Sequence, residues 1–184
     1  MPSLKRDQEL SANLKRMTAV GVHFRYISAD VTDQAQVRSA ITKAESELGP
    51  ITGILHGGSH KCSAALSTLD EETLQTTLAV KVQGALNLLS AVNPEKLRML
   101  VTFGSIISRT GLRGEAHYGL ANEWLRDLTE KWKAEHPSCK CLAVEWSIWA
   151  GIGMGQRLAR TDLLMQRESL RSRSTRALEY SANC

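Results

Sequence analysis

Met99-Leu100-Val101-Thr102-Phe103-Gly104-Ser105 is an apolar run that stops at a glycine and a serine. A loop leads from it to Tyr118-Gly119-Leu120-Ala121-Asn122, which opens an amphipathic stretch running to Glu135, where Pro137 ends it. Length and composition read the first segment as a buried strand and the last as a helix. Upstream, Ile51 to Leu55 is a second strand candidate that opens into His56-Gly57-Gly58. Between the two strands lies a long helical pattern, capped by Ser67 or Thr68 and reaching about Val92 before Pro94. Further upstream, Val22 to Ile27 reads as the first strand, and Ala29-Asp30-Val31-Thr32-Asp33 follows it. Asp33 caps a helix from Gln36 to Leu48, which Gly49-Pro50 stops. Downstream, Leu142 to Trp146 is the fourth strand, and the loop Gly151-Ile152-Gly153-Met154-Gly155 comes after it. Strands alternating with helices predict an α/β fold, a parallel sheet with helices on both faces.

The 184 residues are enough for one domain with a core. Hydrophobic content of 42% and charged content of 23% are ordinary for a globular chain. A net charge of +4 permits a phosphate-bearing ligand without pointing to nucleic acid. The opening MPSLKRDQEL has no apolar core and does not read as a secretory signal, and no apolar run reaches membrane-spanning length. The four cysteines form no disulfide framework, and a reduced, cytoplasmic setting is the expectation. His136, Cys139 and Cys141 match no common zinc spacing, so no metal is expected. Residues 1–158 read as the folded domain. Residues 159–184 read as a basic tail with one helix near Asp162 to Leu170, then a solvated or disordered stretch containing Arg171-Ser172-Arg173-Ser174.

The residues that carry chemistry converge on one end of this sheet. Tyr118 and Asn122, four apart, project from the same helix face. Ser105 sits at a strand end, where ligands bind in open parallel sheets. On the long helix, Leu74, Leu78, Ala85 and Leu88 form one buried stripe, and Lys81 falls on it. An inward lysine is costly unless it is paired or functional. Trp124 and Trp132, at helical spacing, read as core or interface packing.

These residues resemble the short-chain dehydrogenase/reductase superfamily, and more closely the ketoreductase domains of modular type I polyketide synthases. The matching stretches are Ala29-Asp30-Val31-Thr32-Asp33, Leu55-His56-Gly57-Gly58, Val80-Lys81-Val82-Gln83-Gly84, Phe103-Gly104-Ser105-Ile106, Tyr118 to Glu123 and Val144 to Trp149. Most of the superfamily places lysine four residues after the tyrosine and asparagine on the preceding helix. Polyketide ketoreductases exchange the two, as this sequence does. The resemblance implies a catalytic set of Lys81, Ser105, Tyr118 and Asn122. Tyr118 would donate a proton to the substrate carbonyl, Ser105 would polarise that oxygen, Lys81 would lower the tyrosine pKa, and Asn122 would orient the lysine or a relay water. It implies NADPH as cofactor, held by Asp30, Val31, His56, Gly57, Gly58, Lys81 and Tyr118. The implied substrate is a β-ketoacyl thioester on an acyl carrier protein, in polyketide or related fatty acid biosynthesis.

The sequence also departs from that pattern. The family's first strand, glycine-rich turn, helix and second strand have no counterpart, and the chain opens in what resembles the helix before the third strand. The expectation is therefore a partial, truncated Rossmann-like doubly wound sheet. In the order 3-2-1-4-5-6, the missing pair leaves a gap of about 14 Å between Val22–Ile27 and its nearest neighbour. Either another polypeptide supplies the missing strands, or the first strand relocates, or the chain is an inactive ketoreductase fragment with a structural or no independent role.

Overall fold

The computed structural model describes residues 2–60, 62–149 and 171–172. Its main sheet has three parallel strands in sequence order: β1 (Gly53–His56), β2 (Met99–Ser105) and β3 (Lys140–Trp146). Leu100 lies between Ile54 and Cys141, and Val101 between Leu55 and Leu142. Because side chains alternate along a strand, these two rows face opposite sides. The Leu100 row is buried. It packs with Ile41 of α2 (Gln34–Leu48), Leu88 and Leu89 of α4 (Gly84–Ala91) and Trp132 of α6 (Ala116–Glu135). On the other side Leu55 is 63% exposed and Leu142 55% exposed.

The expected helices on both faces are thus replaced by helices on one, among the described residues. Crossovers between parallel strands are right-handed, so connections that advance in one direction leave their helices on the same side. Here the order never reverses, and α2, α4 and α6 all join the same core. The remaining long helix, α1 (Pro2–Ala19), is joined to Asp33 by a segment without regular structure.

That segment holds the second correction. Val22 to Ile27 is not a strand. Strands persist by pairing, and among the described residues no strand pairs with this run; Val22 and Tyr26 are exposed. An exposed ion pair, Arg25 to Glu47 at 3.5 Å, links it to α2.

Local chemistry sets the other boundaries. Asp33 caps α2 as expected, accepting from the Ala35 and Gln36 amides, and Gly49 at φ +85° ends it. The long helix begins later than Ser67 or Thr68. Asp70 is the cap, accepting from Thr73 N at 2.6 Å, and α3 (Glu71–Leu78) follows. Its two acidic first-turn residues also suit the positive end of the helix dipole. The chain then passes through one π turn, Ala79–Gln83, before α4. Short α5 (Ile107–Thr110) links β2 towards α6. Arg171–Ser172, expected in an unstructured tail, form β5 and pair in parallel with β4 (Ile148–Trp149). The expected helix at 162–170 and the loop at 151–155 lie outside the described residues. Among those described, no helix is long and apolar enough to cross a membrane.

Candidate active site

Lys81 occupies the middle of the π turn and is 2% exposed. Such a turn widens the helix by one residue and recurs at functional positions. The Lys81 Nζ donates to the Phe103 carbonyl of β2 at 2.8 Å and stands 5.7 Å from the centroid of the Tyr118 ring. Burial pushes its pKa down from 10.5 to about 8, because an ammonium loses its hydration in the apolar interior. Asn87 and Gly84 secure the turn from the following helix. Asn87 Nδ2 donates to the Val31 carbonyl at 2.9 Å. A Cβ on Gly84 would lie 2.4 Å from Val31 Cγ2, so only glycine admits that approach.

Tyr118 lies in the first turn of α6 and is 4% exposed. Ser59, Asn122 and Ser105 are the polar side chains that act on its phenol. Burial raises the Tyr118 pKa above 10.0 and outweighs the hydrogen bonds from these three, which act in the opposite direction; the nearby charge of Glu115 raises it further. The family pattern implies a lysine that lowers this pKa. Here the shift is upward, because burial dominates, and the ammonium is directed at the Phe103 carbonyl. The Asn122 Nδ2 donates to the Tyr118 carbonyl at 2.5 Å, and its Oδ1 is buried without a hydrogen-bond partner. Ser105 ends β2, and its Oγ accepts from the Ile107 amide at 3.3 Å.

Lys81, Ser105, Tyr118 and Asn122 therefore meet at the C-terminal mouth of the sheet. Ser59 joins them and was missed by the sequence reading. Its only signal was its position directly after His56-Gly57-Gly58, beyond a strand end.

The residues expected around a cofactor are placed less uniformly. His56 is buried, and its Nε2 donates to the Lys81 carbonyl at 2.9 Å. Burial pulls its pKa below 6.5, which keeps the ring neutral. Its side chain thus braces the π turn. Gly58 is required by internal packing, since a Cβ there would come within 2.9 Å of His56 Cε1. Gly57 would meet only ordinary contact with Phe103. Asp30 is exposed, and its Oδ1 accepts from the Thr32 amide at 2.9 Å and hydroxyl at 2.8 Å. Val31 is half-buried against Gly84. Trp124, expected in core or interface packing, is 48% exposed and so not core, whereas Trp132 stacks on His136 at 3.9 Å between ring centroids.

A parallel sheet with a tyrosine, serine, lysine and amide at its mouth is a partial Rossmann-type domain of the reductase class. The family model for the KR domain matches residues 2–151, and the chain belongs to that family. It is 31% identical over 159 residues to the phenolphthiocerol synthesis polyketide synthase type I Pks15/1 of Mycobacterium marinum. That match covers 84% of this chain and 7% of the relative, so the chain spans a small part of such a synthase. Among solved structures, the ketoreductase from the first module of phoslactomycin biosynthesis in Streptomyces sp. HK803 superposes with a TM-score of 0.79 at 25% identity. The match covers 92% of this chain and 38% of that one. A blue fluorescent protein from a metagenomic library, in complex with NADPH, matches in fold with a TM-score of 0.69 at 20% identity, covering 76% of this chain and 58% of that one.

Proposed function

We propose that this chain carries the catalytic half of an NADPH-dependent ketoreductase, acting on a β-ketoacyl thioester borne by an acyl carrier protein. The observation that carries the reading is Lys81, buried and 5.7 Å from the centroid of the buried Tyr118 ring, with Ser105 at the end of β2 and Asn122 one helical turn on, both acting on the same phenol. Tyr118 is the proton donor: a neutral phenol, kept protonated by burial, can pass its proton to a carbonyl oxygen as that oxygen gains charge. Ser105 donates to the same oxygen. The Lys81 ammonium stabilises the tyrosinate left behind, and the unpartnered Oδ1 of Asn122 holds Lys81 or a relay water.

The nicotinamide and ribose end of NADPH fits this mouth, where Lys81 and Tyr118 supply donors. Asp30 and Val31 would adjoin the adenine end. When bound, the cofactor supplies the hydride. The pyrophosphate does not fit equally well, since no glycine-rich turn stands among the described residues to present backbone donors. We therefore assign that grip to a separate strand, glycine-rich turn, helix and strand, contributed by another polypeptide segment. Each charge-assisted hydrogen bond so lost weakens binding by about 1.5–3 kcal/mol, and two lower affinity roughly a hundredfold or more.

A fluorescence titration of NADPH tests this. The chain alone should bind weakly, and added polypeptide carrying the glycine-rich element should restore saturable binding and ketone reduction that Tyr118→Phe abolishes. No binding under either condition would leave an inactive ketoreductase fragment as the correct reading.

A further inference from the structure

Two buried, ionisable side chains next to the site neither donate to the substrate oxygen nor hold the cofactor in the chemistry above. Glu115 and His117 immediately precede Tyr118 and are 4% and 2% exposed. Both reach back to the irregular segment after β1. The Ser63 hydroxyl donates to Glu115 Oε1, and His117 Nε2 donates to the Cys62 carbonyl at 2.7 Å. Between them the Ala64 amide donates to the Gly114 carbonyl at 3.0 Å. The other imidazole nitrogen, Nδ1, is buried without a hydrogen-bond partner. A fold that buries a carboxyl group and a half-satisfied imidazole here gives up stability. Held in return are three consecutive residues, 62 to 64, that belong to no helix or strand.

We propose that Glu115 and His117 are positioning residues: they clamp the 62–64 segment onto the first turn of α6 and so hold Ser59 against the Tyr118 hydroxyl. Three residues of chain span at most about 10 Å, so a tie at Cys62 confines Ser59. Clamp and tyrosine share one helical turn, with Gly119 N donating to Glu115 O at 2.8 Å. The Ser59 hydroxyl is then delivered to the reacting oxygen as a second donor beside Ser105, and any substrate carbonyl reaches Tyr118 past the clamped segment. This rests on the reductase reading, but its test needs neither cofactor nor turnover.

The readout is the Tyr118 phenol, titrated by ultraviolet absorbance in the full chain against a Tyr118→Phe blank. Ser59→Ala removes a hydrogen bond that favours tyrosinate, so the midpoint rises. Ser63→Ala and His117→Leu should raise it too. His117→Gln, whose amide can still donate to the Cys62 carbonyl, should restore the parent midpoint. Ser63 is exposed, so Ser63→Ala carries the test even where His117→Leu fails to fold. Amide hydrogen exchange across 59–64 should quicken about tenfold in Ser63→Ala, in line with loss of one part-buried hydrogen bond. The proposal is overturned if Ser59→Ala shifts the midpoint while both clamp variants leave it in place, or if Ser59→Ala itself does nothing. A chain that titrates as expected yet never reduces a ketone defeats the reductase reading and leaves the clamp standing.

Discussion

The two faces of the three-stranded sheet are built from the same strands and meet different fates. On one, Ile54, Leu100 and Cys141 lie under α2, α4 and α6. On the other, Leu55, Met99 and Leu142 are apolar and open. The candidate site belongs to the covered side, because α6 supplies Tyr118 and the α3–α4 stretch supplies Lys81. Right-handed crossovers running in one direction put every connecting helix where the chemistry is. They leave the second face with nothing from the described residues to bury it. Apolarity alone therefore does not make a core; a row becomes core when a helix is delivered over it.

The sharpest way to separate the faces is through chemistry. Tyr118→Phe, assayed with the glycine-rich element present, should lower ketone reduction by about 10²–10⁴-fold with an unchanged far-ultraviolet spectrum. Loss of less than tenfold would remove Tyr118 as proton donor. Packing gives the next largest contrast. Leu100→Ala should cost about 3 kcal/mol in urea unfolding, as buried leucines do, whereas Leu142→Ala, one residue on from Leu100's register partner Cys141, should stay within about 0.5 kcal/mol. Equal costs would break the comparison and show that the second face is covered in solution.

Lys81 offers a smaller effect of opposite sign. A drop from 10.5 to about 8 corresponds to about 3 kcal/mol against folding when the group is charged. After allowing for the lost bond to Phe103, Lys81→Met should stabilise by about 1–2 kcal/mol while abolishing reduction. The pH dependence follows from the same shift. Between pH 8 and 10 the unfolded chain holds the lysine proton that the folded chain has released, so stability should climb with pH. Above 10 Tyr118 works the other way: its raised pKa gives stability that is present below 10 and lost as pH rises through the folded value. Urea midpoints between pH 8 and 10 should rise in the parent and stay flat in Lys81→Met. Least of all, Leu55→Lys on the open face should change stability by under about 0.5 kcal/mol and improve solubility.

Much of this was legible residue by residue. Asp33 and Gly49 bound α2 through local hydrogen bonding and a left-handed φ, both properties of a few adjacent residues. The inward Lys81 followed from a periodic apolar stripe. The start of the long helix differs because Ser67, Thr68 and Asp70 are all good caps, and a serine or threonine two or three residues early is locally as suitable. Ser59 escaped because an exposed serine in a loop has no pattern; only the fold of the loop back onto α6 brings it to Tyr118.

By itself, then, the sequence determined the bounds of α2, the existence of the strands that became β1, β2 and β3, that they run parallel, and that Lys81 faces inward. Each depends on periodicity, on a cap, or on a spacing within one element. Tertiary structure alone decided that Val22 to Ile27 is not a strand, that helices cover one face, that a π turn carries Lys81, and that the tyrosine pKa moves up. Those outcomes depend on what lies beside a residue in space: a strand needs a neighbour to pair with, and a buried phenol answers to the burial and the dipoles around it.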